Sequence, residues 1–192
     1  MDPSLQAPTR PDRRHALIQM AYQTIAKKGF EGLRVRDIAA QVGINGATLH
    51  HYFPTKEALI QAVVEYVIAR LRLASADLTG TPAELIHQHL RHLYQLMKSE
   101  PTLFVVLTEI HLRAQRDPIL QVIMQQEAYW HEWLTKVLRD GREQGIWSAH
   151  LDPTQAASAI ITLVEGAGLW AVTLPQRIEQ AIEQMEQWLG TT

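Results

Sequence analysis

Residues 35–59 read VRDIAAQVGINGATLHHYFPTKEAL, and this stretch decides the fold. Ile38, Ala39 and Val42 recur at the spacing of one helical face, which predicts a short supporting helix over Asp37 to Val42. Gly43 follows where the chain must turn, because glycine adopts the left-handed backbone at no steric cost. Asn45 then stands where a side-chain oxygen caps the next helix, Gly46 to Tyr52, and Pro54-Thr55-Lys56-Glu57 restarts a third. Two short helices about a glycine turn make a helix-turn-helix, whose second helix is the one presented to a DNA groove.

Working outward, the remaining chain also reads as helix, with proline and glycine marking the breaks. Residues 1–10 are expected to be a disordered lead. Helix 1 starts at Pro11-Asp12, buries Ile18, Ala21, Tyr22, Ile25 and Ala26, and ends at Gly29. Helix 4 is expected from Lys56 to about Asp77, helix 5 from Ala83 to Lys98, helix 6 from Thr102 to Gln115, helix 7 from Ile119 to Arg139, helix 8 from Pro153 to Val172 and helix 9 from Gln176 to Leu189. A loop from Gly141 to Asp152 separates helices 7 and 8. The fold class is therefore all-α: a three-helix DNA-binding domain over residues 11–55, then six helices over 56–190.

Composition agrees with a folded, soluble chain. The 192 residues are 46% hydrophobic, enough for a core, and contain no cysteine, so the fold depends on no disulfide or thiolate metal site. No stretch reaches the ~18 apolar residues of a membrane span, and the amino terminus lacks a signal-peptide core, so a cytoplasmic protein with no membrane partner is expected. The net charge of -2 hides an asymmetry: residues 1–60 hold eight Lys or Arg against five acids, and the remainder ten against fifteen. A basic front end confines the expected DNA contact to the first third.

The segment from about Arg13 to Val63 resembles the DNA-binding domain of the TetR family of bacterial transcriptional regulators. The resemblance lies in Lys28-Gly29-Phe30, Val35-Arg36-Asp37-Ile38-Ala39, Val42-Gly43, Gly46, Leu49, Tyr52-Phe53 and Lys56-Glu57-Ala58-Leu59. It implies a homodimer that binds a palindromic double-stranded operator and releases it when a small molecule occupies the C-terminal domain. Three positions depart from the family pattern. Val35 stands where Ser or Thr is most common, Asn45 where Ser or Thr is usual, and His50 where a Tyr usually contacts a backbone phosphate.

The residues themselves suggest a division of labour on DNA. Gly46 and Ala47 are small enough for the backbone to approach the major groove closely. Ala47 offers only an apolar contact, Thr48 a phosphate or thymine contact, and Asn45 a base contact if it is not engaged in capping. Arg36 and Lys56 lie where cations neutralise phosphates on either side of the groove. The full expected set is Arg34, Arg36, Asn45, Ala47, Thr48, His50, His51, Tyr52 and Lys56.

The C-terminal helices supply two further expectations. Met97, Phe104, Leu107, His111, Tyr129, Trp130, Trp133 and Trp170 form an apolar, aromatic set with a few polar tips, suited to a small, largely hydrophobic effector, although the same residues also describe a plain core. Helix 8 is rich in Ala and Gly, with Glu165 its one charge between Ala156 and Val172. Ile160, Leu163, Val164 and Ala167 on helix 8, with Ile178, Ile182 and Met185 on helix 9, are expected to form a four-helix interface between two copies. Glu109 lies in the apolar run VVLTEIHL, facing either a ligand or Arg113.

No catalytic signature is present: no G-x-S-x-G, P-loop, dinucleotide fingerprint or H-E-x-x-H occurs. His87, His89 and His92 invite a metal reading, but His87 and His89 are separated by about 200° of helical arc, so one helix does not bring all three to one ion. No cofactor or metal is expected. The alternatives that stay open are a helical DNA-binding protein without an effector and, more remotely, an all-helical enzyme.

Overall fold

Nine α-helices follow one another among the described residues, 10–73 and 78–189 of the computed structural model. They are α1 (Arg10–Lys28), α2 (Val35–Gln41), α3 (Gly46–Tyr52), α4 (Lys56–Leu73), α5 (Pro82–Ser99), α6 (Pro101–Ala114), α7 (Val122–Glu143), α8 (Pro153–Leu169) and α9 (Gln176–Leu189). Single turns of 3-10 helix at Phe30–Gly32 and Pro118–Leu120 precede α2 and α7. The expected lead lies outside the described residues except for Arg10, where α1 begins. The expected end of helix 4 also falls outside them, at residues 74–77.

The helix ends follow from local chemistry. Gly29 (φ 63°) and Gly43 (φ 73°) take the left-handed backbone that ends α1 and turns the chain after α2. Asn45 Oδ1 accepts the Thr48 amide at 2.8 Å, and Thr55 Oγ1 accepts that of Ala58 at 3.1 Å, which caps α3 and the start of α4. Helix α2 starts two residues earlier than its apolar face suggested. Arg34 precedes it without a side-chain cap, and Asp37 sits inside the first turn, where its charge favours the helix dipole. Thr81 and Glu84 form a reciprocal capping box on α5, and Asp152 caps α8 through the amides of Thr154 and Gln155.

Two compact units divide the chain between Val67 and Ile68, inside α4, whereas the sequence suggested residues 55 and 56. Tyr66 explains the difference, because its ring packs edge-on against Tyr22 and His15 of α1 and holds this part of α4 in the first unit. Leu17, Ile25, Leu33, Ile38, Leu49 and Leu59 are fully buried there. In the second unit α5 packs on α7 and α9, and α8 on α6, α7 and α9. Glu186 on α9 is fully buried and receives both Arg91 Nη2 (2.8 Å) and Nε (3.1 Å) from α5, a two-point pair that satisfies the buried charge.

Two helices of this unit have other bounds than expected. Helix α7 begins at Val122 rather than Ile119, after a 3-10 turn, and runs through Gly141 instead of stopping before it. Gly141 is helical because the Trp147 ring lies against it: a Cβ there would stand 2.1 Å from Trp147 Cζ3. The turn belongs to Gly145 (φ 73°). Helix α8 stops at Leu169 rather than Val172, where the amides of Trp170 and Ala171 tighten onto the carbonyls of Ala167 and Gly168. The residues assigned to a dimer interface are mostly covered by their own chain: Ile160, Val164, Ala167, Ile178, Ile182 and Met185 are each 6% exposed or less, and Leu163 is half-buried. An apolar helical stripe reads the same whether its partner lies in the same chain or in a copy.

Gly141→Ala tests the packing of Trp147. Alanine ordinarily gains about 1 kcal/mol over glycine inside a helix. Here Trp147 is held by its Nε1–H bond to the Leu189 carbonyl (2.7 Å) and cannot swing aside freely. The variant should lose stability by about 1–3 kcal/mol in urea unfolding, and a gain would show that the indole is not fixed.

Candidate DNA-binding surface and ligand cavity

Helix α3 has seven residues, and its buried side is supplied by Leu49, with Phe53 just beyond its end. Burying these two turns the other side outward. Arg34, Arg36, Asn45, Ala47, His50 and His51 are exposed, and Thr48, Tyr52 and Lys56 are half-buried. Arg34, Arg36, Gly46 and His50 line one shallow concavity on this surface.

Several of these side chains already have work within the unit. Asn45 is engaged as the cap of α3, so its Oδ1 is not free for a base edge and only its amide NH₂ remains. His50 Nδ1 donates to the Pro54 carbonyl at 3.1 Å. Its neutral ring therefore presents Nε2 as an acceptor, and it becomes a donor toward phosphate only when protonated. Lys56 Nζ lies 3.5 Å from the Phe30 carbonyl, at the limit of a hydrogen bond, which leaves its other donors available. Arg14 stacks over the Phe53 ring at 5.1 Å.

The second unit holds a cavity of about 340 Å³, within the range of small-molecule sites. Its walls come from the last turn of α4 and from α5, α6, α7 and α8. Phe104, Leu107, His111, Tyr129, Trp130 and Trp133 of the expected set line it. Met97 and Trp170 do not. Met97 is fully buried, and Trp170 is 39% exposed beneath the Arg177 guanidinium. Sequence reasoning did not place Leu71, Arg72, Thr108, Glu127, Val164 or Glu165 here, and of His87, His89 and His92 it is His89 that lines the cavity. Glu109 is half-buried and outside the wall, and Arg113 bonds Asp117 at 3.1 Å.

Two polar groupings give the cavity its electrostatics. His89 is buried with Trp130 and Trp133 packed around it at ring separations of 5.7 and 4.8 Å. Trp130 Nε1–H donates to His89 Nε2 at 2.7 Å, which makes that nitrogen an acceptor and puts the proton on Nδ1. Burial, helped by His92, lowers its pKa to about 4. Also in the lining, His111, Glu127 and Glu165 come together from α6, α7 and α8, with His111 Nδ1 3.8 Å from Glu165 Oε1. Burial lowers the His111 pKa against the opposing pull of Glu127, and burial together with Glu127 raises that of Glu165.

The neutral His89 has a measurable consequence. Its folded pKa lies below the ordinary 6.5, so the unfolded chain binds the proton first, and stability falls as pH drops from about 6.5 toward 4. Between pH 7 and pH 5 this amounts to about 2 kcal/mol. His89→Gln, which keeps an acceptor for Trp130, should shrink the pH 7 to pH 5 difference in urea-unfolding free energy by about that amount, and an unchanged difference would mean that His89 does not carry the effect.

Comparison with known proteins follows the same division. Residues 17–63 match the model of bacterial regulatory proteins of the tetR family, and residues 82–192 match that of the C-terminal part of BetI-type transcriptional repressors. The BetI regulator of Rhizobium meliloti is 28% identical over 109 residues, 55% of this chain and 54% of its own length, so this alignment spans about half of each. A TetR transcription regulator from Haloarcula marismortui superposes with a TM-score of 0.82 at 23% identity, over 95% of this chain and 98% of its own. AibR, described in complex with isovaleryl coenzyme A and operator DNA, superposes with a TM-score of 0.75 at 22% identity, over 92% and 97%. No helix among the described residues is long and apolar enough to cross a membrane. With a helix-turn-helix in one unit and a cavity-bearing helical bundle in the other, the chain belongs to the TetR family of bacterial transcriptional regulators, DNA-binding proteins rather than enzymes.

Proposed function

We propose that the chain is a repressor that binds a palindromic operator as a homodimer and releases it when a small, largely apolar effector enters the cavity of its C-terminal unit. The observation that carries this reading is the cavity itself, walled by Phe104, Leu107, Trp130 and Trp133 and tipped by a few polar groups, on a chain that also exposes α3. AibR, of the same fold, is described with both a small-molecule conjugate and operator DNA. Helix α4 supplies the link by chain continuity. It starts in the first unit at Lys56 and ends with Leu71 and Arg72 in the cavity wall. An effector that prefers one of two dimer geometries needs only that preference to shift the population away from operator spacing.

The dimer face follows from what α8 leaves uncovered. Gln155, Ala159, Thr162, Gly166 and Leu169 are exposed and recur at helical spacing, and a side chain at Gly166 would meet nothing within 4 Å. Small residues in such a row let a second helix approach closely. Two copies so paired would present two α3 helices, which must lie about 34 Å apart to enter successive major grooves.

Fluorescence anisotropy with a duplex from the intergenic DNA beside the gene, titrated with small apolar compounds, tests the effector reading. Leu107→Trp should fill part of the cavity, leave duplex affinity within about twofold and blunt release at least tenfold. Release that survives cavity filling would place the effector elsewhere, and the absence of release by any compound would favour a DNA-binding protein without an effector. Gly166→Arg should sediment as a monomer and lose most operator affinity. A dimer that persists would move the interface to another face.

A further inference from the structure

His111, Glu127 and Glu165 have no role in binding an apolar molecule, yet they converge on one wall of the cavity from three different helices. One ligand atom from each lies within 4.8 Å of the other two. We propose that these three side chains form a binding site for one divalent first-row transition-metal ion. Donors about 2.0–2.2 Å from such an ion stand roughly 3–4 Å from one another, so small side-chain adjustments close the site.

The chemistry of the set selects the ion. Calcium and magnesium prefer all-oxygen shells, whereas one imidazole with two carboxylates suits zinc, manganese, iron or cobalt. Three protein ligands leave coordination positions open toward the cavity, where water or an effector oxygen can complete the shell.

Three observations point the same way. Glu165 has His111 beside it at 3.8 Å, and neither Glu127 nor Glu165 pairs with a Lys or Arg among the described residues. Arg72, the basic residue of the same wall, is engaged with the Gln126 side chain at 2.8 Å. Two half-buried like charges destabilise each other unless a cation joins them. His111 is half-buried beside Glu165, and the lone pair of a neutral imidazole is a good ligand for such an ion.

The cation also has a mechanical effect. Because its ligands come from α6, α7 and α8, binding ties together three of the helices that wall the cavity. The assignment does not rest on operator release, and its test uses neither DNA nor effector, so the two readings fail separately.

The test is a Co²⁺ titration of the full chain after chelator treatment, followed by visible d–d absorption and by thermal unfolding. One saturable Co²⁺ per chain is expected, displaced by Zn²⁺ and accompanied by a rise in Tm. Glu127→Gln, Glu165→Gln and His111→Gln should each weaken binding at least tenfold and remove the metal-dependent rise in Tm. His92→Gln, at an exposed site, should change neither. Circular dichroism checks that each variant is folded, and Glu165→Gln, which relieves the repulsion, should be no less stable than the parent without metal. No saturable spectrum, or binding indifferent to Glu127→Gln and Glu165→Gln, overturns the proposal. So does quenching of tryptophan fluorescence by tetramethylammonium without any Co²⁺ binding, since the carboxylates would then serve an organic cation.

Discussion

A seven-residue helix has no stability of its own, and everything this protein does at DNA depends on how α3 is held. Isolated helices shorter than about 12 residues are marginal in water, so packing and capping must define where α3 begins and which way it faces. Leu49 and Phe53 bury the inner side, Asn45 satisfies the Thr48 amide, and Gly43 turns the chain so that α2 buttresses α3. None of these residues needs to touch DNA. Their effect is that Ala47, Thr48 and His51 have only one direction left to face.

This economy constrains the side chains that do face outward. Asn45 cannot both cap α3 with Oδ1 and present that oxygen to a base. His50 presents no donor while its Nδ1 proton is held by the Pro54 carbonyl. Arg34 and Arg36 lack such competing bonds and remain exposed. The positive charge on this surface therefore rests on Arg34, just before α2, and Arg36, in its first turn, more than on α3 itself.

How much could be read from the sequence depended on whether the deciding contact was local. Gly43 and Asn45 act within four residues of themselves, and their roles were plain from spacing; the Thr81–Glu84 box is equally local, yet its spacing went unread. Gly141 was misread because its reason is Trp147, six residues beyond and folded back against it. The dimer residues show another limit: Ile178, Ile182 and Met185 recur at core spacing, and nothing in that spacing distinguishes their own α5 from a neighbouring copy. Glu127 passed unnoticed among polar neighbours in QQEAYWHEW. Glu165 was visible as the one charge in α8, and an acid in such a run signals either a partner or a solvated cavity.

The cavity is also a problem of stability, and this explains its mixed lining. An enclosed, dry void costs about 24 cal/mol per Å³, and this site escapes that cost because it is partly open and its lining is not apolar throughout. His111, Glu127, Glu165 and Thr108 change the balance, because polar groups grouped on one side let water occupy the space at little cost. An entering molecule then displaces that water and gains the apolar surface of Phe104, Leu107 and Trp133. The polar groups thus admit water to the site, while the aromatic ones offer apolar surface to whatever enters it.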